Sequence, residues 1–178
     1  PKYSGSETLV SVQLILDSFS HGGSIVWDNE AGTVSNVTLG IGSRVTAVGP
    51  DLTTLVATPM MPGTKNGVAG DDEAGAPDFF GPDSYTLLGG SSFDSDLADI
   101  SDALKLAYYV GAGKFGVDIN SLVVAMHSIT GGAGRDRSVG GTTDGTVKLI
   151  YTTEAVPEPA TMSLLALGGM AALIRRKK

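Results

Sequence analysis

Cysteine is missing from the chain, which removes disulfide frameworks, thiolate zinc sites and cysteine nucleophiles together. Histidine is nearly missing too. His21 and His127 are the only two, too few for a histidine metal site, and His127 lies in an apolar run where it reads as a strand residue. Aromatic residues make up 6% of the chain and Trp27 is the one tryptophan, so neither a lectin-like aromatic platform nor a stacking surface is favoured. Bases are scarce as well: 12 Lys and Arg stand against 19 Asp and Glu, a net charge of -7, and a phosphate backbone would be repelled. Nucleic acid is excluded as a partner. His21-Gly22-Gly23 has the look of an esterase oxyanion loop, but without a G-x-S-x-G elbow a turn is the better reading. Gly111 to Gly116 has G-x-G-x-x-G spacing, yet it follows a predicted helix and precedes a predicted strand, the reverse of a dinucleotide fingerprint.

What the chain has is turns and apolar residues. Its 178 residues suit one domain plus a smaller extra segment, and 25 Gly and 8 Pro beside 42% hydrophobic residues point to a turn-rich, mainly β domain. Val10, Val12, Leu14 and Leu16 alternate on one face of a first strand, and Ser24 to Asn29 continue as a second with Ile25 and Trp27 inward. The intervening glycines predict an antiparallel hairpin. Val37, Leu39 and Ile41, then Val45 and Ala47 after Gly42, suggest a further pair of strands, and Leu52 to Val56 another short one. Residues 58–83, with Pro59, Pro62, Pro77 and Pro82, read as a long functional or metal-ordered loop. Tyr85 to Leu88 and the alternations around Phe115 to Ile119, Leu122 to Ile129 and Val147 to Tyr151 supply more strands. Leu97, Ile100, Leu104 and Ala107 recur at helical spacing, with Asp94, Asp96, Asp99 and Asp102 toward the start, predicting one helix near residues 96–109. The expected fold is an antiparallel β-sandwich, jelly-roll or immunoglobulin-like, with one short helix and a C-terminal hydrophobic sorting helix.

The charge distribution marks the C-terminus. Arg175, Arg176, Lys177 and Lys178 hold four of the 12 bases. Before them, Met162 to Ile174 is an uncharged apolar run carrying Met162, Leu164, Leu165, Leu167, Leu173 and Ile174; as a helix it is about 20 Å long, short against a hydrocarbon core of about 30 Å. Val156-Pro157-Glu158-Pro159 precedes it as a hinge, because each proline lacks a donor and restricts the residue before it. Proline hinge, short apolar helix and terminal basic cluster, in that order, resemble the PEP-CTERM protein-sorting signal of Gram-negative bacteria. The resemblance implies recognition by an exosortase in the inner membrane, removal of Met162 to Lys178, and delivery of the domain outward. The basic cluster, kept on the cytoplasmic side, gives the same orientation.

The body carries a looser likeness. Val12-Gln13-Leu14, Trp27-Asp28-Asn29-Glu30, Ala76 to Ser84, Tyr109 to Gly113 and Val147 to Tyr151 resemble the choice-of-anchor E domain, an exported domain attached to varied surface anchors. The opening strands of that family are not found here and the chain starts at Pro1, so residues 1–153 are expected to be an N-terminally incomplete exported domain, with 154–178 the sorting signal.

One further feature is chemical. Between Lys65 and Lys105 no base interrupts nine acids, and such clustering is unfavourable unless the carboxylates stay hydrated or a hard cation joins them. Asp71, Asp72, Glu73, Asp78 and Asp83 are the candidate calcium ligands, although no EF-hand pattern is present; a solvated acidic face is the alternative, and no other cofactor is expected. The functional expectation is a non-enzymatic cell-surface or extracellular-matrix protein that meets exosortase, the inner membrane and extracellular polysaccharide. A carbohydrate-binding module or carbohydrate-active enzyme is the competing class.

Overall fold

A computed structural model describes residues 1–72 and 76–156. It is mainly antiparallel β, consistent with the expected sandwich. The strands are β1 (Thr8–His21), β2 (Ser24–Asn29), β3 (Ser35–Val48), β4 (Thr54–Ala57), β5 (Met60–Val68), β6 (Ser84–Leu88), β7 (Ser91–Ile100), β8 (Asp118–Thr130), β9 (Gly134–Val139) and β10 (Thr142–Glu154), with one helical turn, α1 (Ala103–Leu106), between β7 and β8.

Two layers face each other. In one, β3 pairs along its whole length with β8 and, on its other side, first with β5 and then with β4. The opposite layer consists of two short sheets, β10-β1-β7 and β6-β2-β9. These are two halves of one creased layer, as the register makes plain. His21 pairs with Ser91 and Thr142 at the end of β1, and Ser24 pairs with Leu88 and Val139 at the start of β2. Each of the three chains therefore runs on in the same direction across a break, and each break is a glycine pair: Gly22-Gly23, Gly89-Gly90 and Gly140-Gly141.

Close approach to backbone demands glycine at Gly89 and Gly141. A Cβ on Gly89 would lie 1.9 Å from the Gly22 carbonyl oxygen, and one on Gly141 would lie 2.1 Å from that of His21. Gly22 and Gly23 also take φ of 70° and 82°, in the left-handed region. The crease divides the interior. On one side Val12, Leu14 and Leu16 pack on Val45, Ala47, Leu55 and Ala57; on the other Ile25 and Trp27 pack on Val37, Leu39 and Ile41. Among the described residues β3 alone contributes buried side chains to both cores.

Several expectations need correction. β1 and β2 do not form a hairpin, because the glycine pair creases the chain without reversing it. The two strands expected between Val37 and Ala47 are one, β3, and its central Gly40 and Gly42 make room for Met126, Met60 and the Pro59 backbone. The stretch 58–83 is not all loop: residues 60–68 form β5, with Pro62 on an edge strand where its missing donor costs no ladder bond. The predicted helix over 96–109 is strand as far as Ile100 and helical only over Ala103–Leu106. Residues 91–100 pair with β1, Leu97 and Leu104 are exposed, and only one turn of helix remains. Its N-cap is Asp102, which accepts from the Leu104 and Lys105 amides.

Among the described residues no helix is long and apolar enough to cross a membrane. The expected sorting helix and basic cluster lie outside the described residues.

Candidate functional site

The acids that the sequence places in one run separate in the fold into two groups with different chemistry. The later group is satisfied by donors. Asp94 and Asp96 accept from the Thr58 and Val56 amides at 2.6 and 2.8 Å, covering the outer edge of β4. Asp99 accepts from Gln13 at 2.9 Å, and Asp102 caps α1. Each of these four carboxylates is thus held by at least one donor.

The earlier group converges at the end of β2, where Asp28 follows core-facing Trp27. Three segments meet there. Buried Asn29 ties two of them, donating through Nδ2 to the carbonyls of Thr33 and Ala69 and, through its backbone amide, to the Asp83 carbonyl. Asp28 Oδ2 accepts from the backbone amides of Asp78 and Phe79 at 3.1 and 3.3 Å, which holds Phe79 at a φ of 61°. Asp83 Oδ2 accepts from the Asp72 amide at 3.3 Å. Carboxylate oxygens of Asp28, Asp78 and Asp83, one from each, lie within 4.8 Å of one another. Asp28 and Asp83 are 4% and 3% exposed, and Oδ1 of each has no hydrogen-bond partner.

The electrostatics match the crowding. Burial pushes the Asp28 carboxyl above its ordinary range and the charges of Asp83 and Asp78 push it further, while hydrogen bonds from the Phe79 and Asp78 amides oppose them. Asp72 is also raised, by desolvation and then by the charges of Asp83, Asp78, Asp71 and Asp28. Among the described residues no basic side chain forms an ion pair with Asp28, Asp72, Asp78 or Asp83.

The fold thus brings together Asp78 and Asp83 of the five candidate ligands, with Asp72 close by. Asp71 is exposed, and its backbone amide donates to the Ala31 carbonyl. Glu73 lies outside the described residues. Asp28 is not among the sequence candidates, since it is remote from the acidic run in sequence. Its one signal is position: an acid directly after a core tryptophan at a strand end.

Next to the cluster is a groove lined by Val26, Asp78, Phe79, Phe80, Arg137 and Val139, in which Phe80 is 75% exposed. At the other end of the molecule β10 closes at Glu154, and Val156 is exposed. Pro157, Glu158 and Pro159 follow, outside the described residues.

These features define a mainly β, cysteine-free domain with a buried acidic junction, followed at once by a short C-terminal segment. Residues 155–178 match the PEP-CTERM protein-sorting motif. Sorting signals of this kind are recognised by exosortase, so the chain is an exosortase-targeted exported protein with a membrane-associated C-terminal signal. No curated protein and no solved structure matches the chain.

Proposed function

We propose that residues 1–153 form a non-enzymatic component of the cell surface or extracellular matrix, released there when an exosortase acts at the Val156-Pro157-Glu158-Pro159 hinge. The observation that carries this reading is the sorting motif at residues 155–178, directly after the last strand ends at Glu154. Little spacer separates folded domain from signal, and the hinge prolines, which cannot continue a strand ladder, mark the junction at which a membrane protease acts. The apolar segment Met162 to Ile174 enters the inner membrane transiently, and Arg175 to Lys178 stay on the cytoplasmic side. The resemblance to the choice-of-anchor E domain supports the same role, a sandwich carried outward by an interchangeable anchor.

Mass spectrometry of the native surface protein tests this. The expected C-terminus lies upstream of Met162, and an intact tail on surface-localised protein overturns the processing step. A second reading, a carbohydrate-binding module or carbohydrate-active enzyme contacting extracellular polysaccharide, is favoured by one observation. Exposed Phe80 lies beside Arg137 and Asp78 in a shallow groove, a combination suited to a sugar face and its hydroxyls. A glycan array with wild type and Phe80→Ala separates the two readings: binding that is lost in the variant supports the second, and an absence of binding supports the first.

A further inference from the structure

Hydrogen bonding accounts for one oxygen of Asp28 and one of Asp83 and leaves the other oxygen of each buried without a donor. An uncompensated buried carboxylate oxygen is costly, and two close together are more so. Either the carboxyls hold protons or a cation supplies the missing charge. The geometry favours the cation. Ligands of one calcium ion stand 2.3–2.6 Å from it, so any two of them are at most about 5 Å apart, and the oxygens of Asp28, Asp78 and Asp83 fall within 4.8 Å.

Asp72 is directed to the same place. A Cβ built on Gly81 would lie 3.0 Å from Asp83 Oδ1 and 3.2 Å from Asp72 Oδ2, so both oxygens border the space that this glycine leaves open. Gly81 itself takes a φ of 87°, which permits the turn that returns the chain to Asp83.

We propose that Asp28, Asp78 and Asp83, with Asp72 at the rim, bind one calcium ion that pins Asp72 and residues 76–83 to the end of β2. The donors are hard carboxylate oxygens, without the imidazole or thiolate that zinc or copper prefers. They come from a strand end and one loop, an irregular arrangement that suits calcium's variable coordination better than the strict octahedron of magnesium.

Thermal melts and isothermal titration calorimetry on the full chain test the site, using calcium chloride, magnesium chloride and EGTA in turn at neutral pH. Calcium at a hundredfold excess over its dissociation constant should raise Tm by about 8 °C relative to EGTA, with one site by calorimetry and a smaller response to magnesium. The Asp28→Asn, Asp83→Asn double variant should lose the calcium shift and, in EGTA, melt no lower than wild type, because neutral amides remove the repulsion while keeping the acceptors. Asp78→Asn, a milder change on the loop, should weaken calcium affinity at least tenfold, and it covers the case in which the double variant does not fold. Coincident wild-type melts in calcium and EGTA overturn the proposal. So does a calcium response that survives in Asp78→Asn with unchanged affinity, which would place binding elsewhere.

Discussion

The Tyr109 hydroxyl donates a 2.6 Å hydrogen bond to Asp51 Oδ1, joining the residues after α1 to the turn between β3 and β4. Both residues are buried, and Thr53 Oγ1 donates to the second oxygen of Asp51 at 2.5 Å. Lys105 Nζ lies 3.7 Å from that oxygen. The carboxylate is therefore held by a phenol, a hydroxyl and a nearby ammonium, under the open end of the first core.

Replacing Tyr109 with Phe removes the hydroxyl and leaves Asp51 Oδ1 with only the long 3.4 Å contact from the Thr53 amide. Loss of a buried hydrogen bond to a charged group costs about 1–3 kcal/mol. Urea denaturation at pH 7 should show a drop of that size with an unchanged m-value.

The same pair sets a pH signature. Burial works to raise the Asp51 carboxyl, but hydrogen bonds from Thr53 and Tyr109 outweigh it and hold the group below its ordinary value. Its stabilising contribution is complete above the unfolded pKa of about 3.9 and is lost as pH falls through the lower folded value. Burial, then the hydrogen bond to Asp51 and the charge of Asp51, raise the Tyr109 phenol above its ordinary value. That contribution is complete below about pH 10 and is lost as pH rises through the folded value. Stability measured across both limbs should fall less steeply in Tyr109→Phe than in wild type at the acid end and at the alkaline end alike.

The crease predicts a contrast among alanine substitutions. At Gly89 and Gly141 the new methyl meets backbone carbonyl oxygens at 1.9 and 2.1 Å, and backbone cannot rotate away. Each change should cost about 3 kcal/mol or more. Gly22 has open space around it and only its φ of 70° to oppose a side chain, so Gly22→Ala should cost about 1 kcal/mol. Equal losses at all three positions would contradict the packing account of the crease.

Asp96→Ala should strip the Val56 amide of its 2.8 Å acceptor and uncover the edge of β4. The expected loss is about 1–2 kcal/mol, together with concentration-dependent association on size exclusion, since a bare strand edge pairs readily. Asp96→Asn, which keeps an acceptor oxygen, should be milder in both measurements.

How much of this was legible in the sequence depended on whether the information was local. The alternation of Val12, Leu14 and Leu16 and the inward turn of Trp27 follow from the two-residue period of a strand, and both hold. The ending in Pro-Glu-Pro, apolar run and basic cluster was legible for the same reason. The helix over 96–109 misled because Leu97 and Ile100 stand three apart by coincidence. Pairing with β1 overrides that spacing and sends the two residues to opposite faces. The acidic site was half legible: Asp78 and Asp83 share a loop, but Asp28 joins them only through the β2-β6 pairing that sets Asp28 opposite Ser84. The three glycine pairs are visible in the sequence one by one, yet their alignment is a property of register, which no single segment encodes.

Among the described residues β10 is the outermost strand of its sheet, paired only with β1, from Thr142 opposite His21 to Glu154 opposite Thr8. The membrane-associated signal begins at residue 155, directly beyond its last rung. A pull on the C-terminus along the strand axis therefore loads the whole ladder at once, in shear, whereas a sideways pull breaks it rung by rung from Glu154. While the signal is still attached, resistance to a pull on it depends on the direction of the force, strong in line with the strand and weak across it.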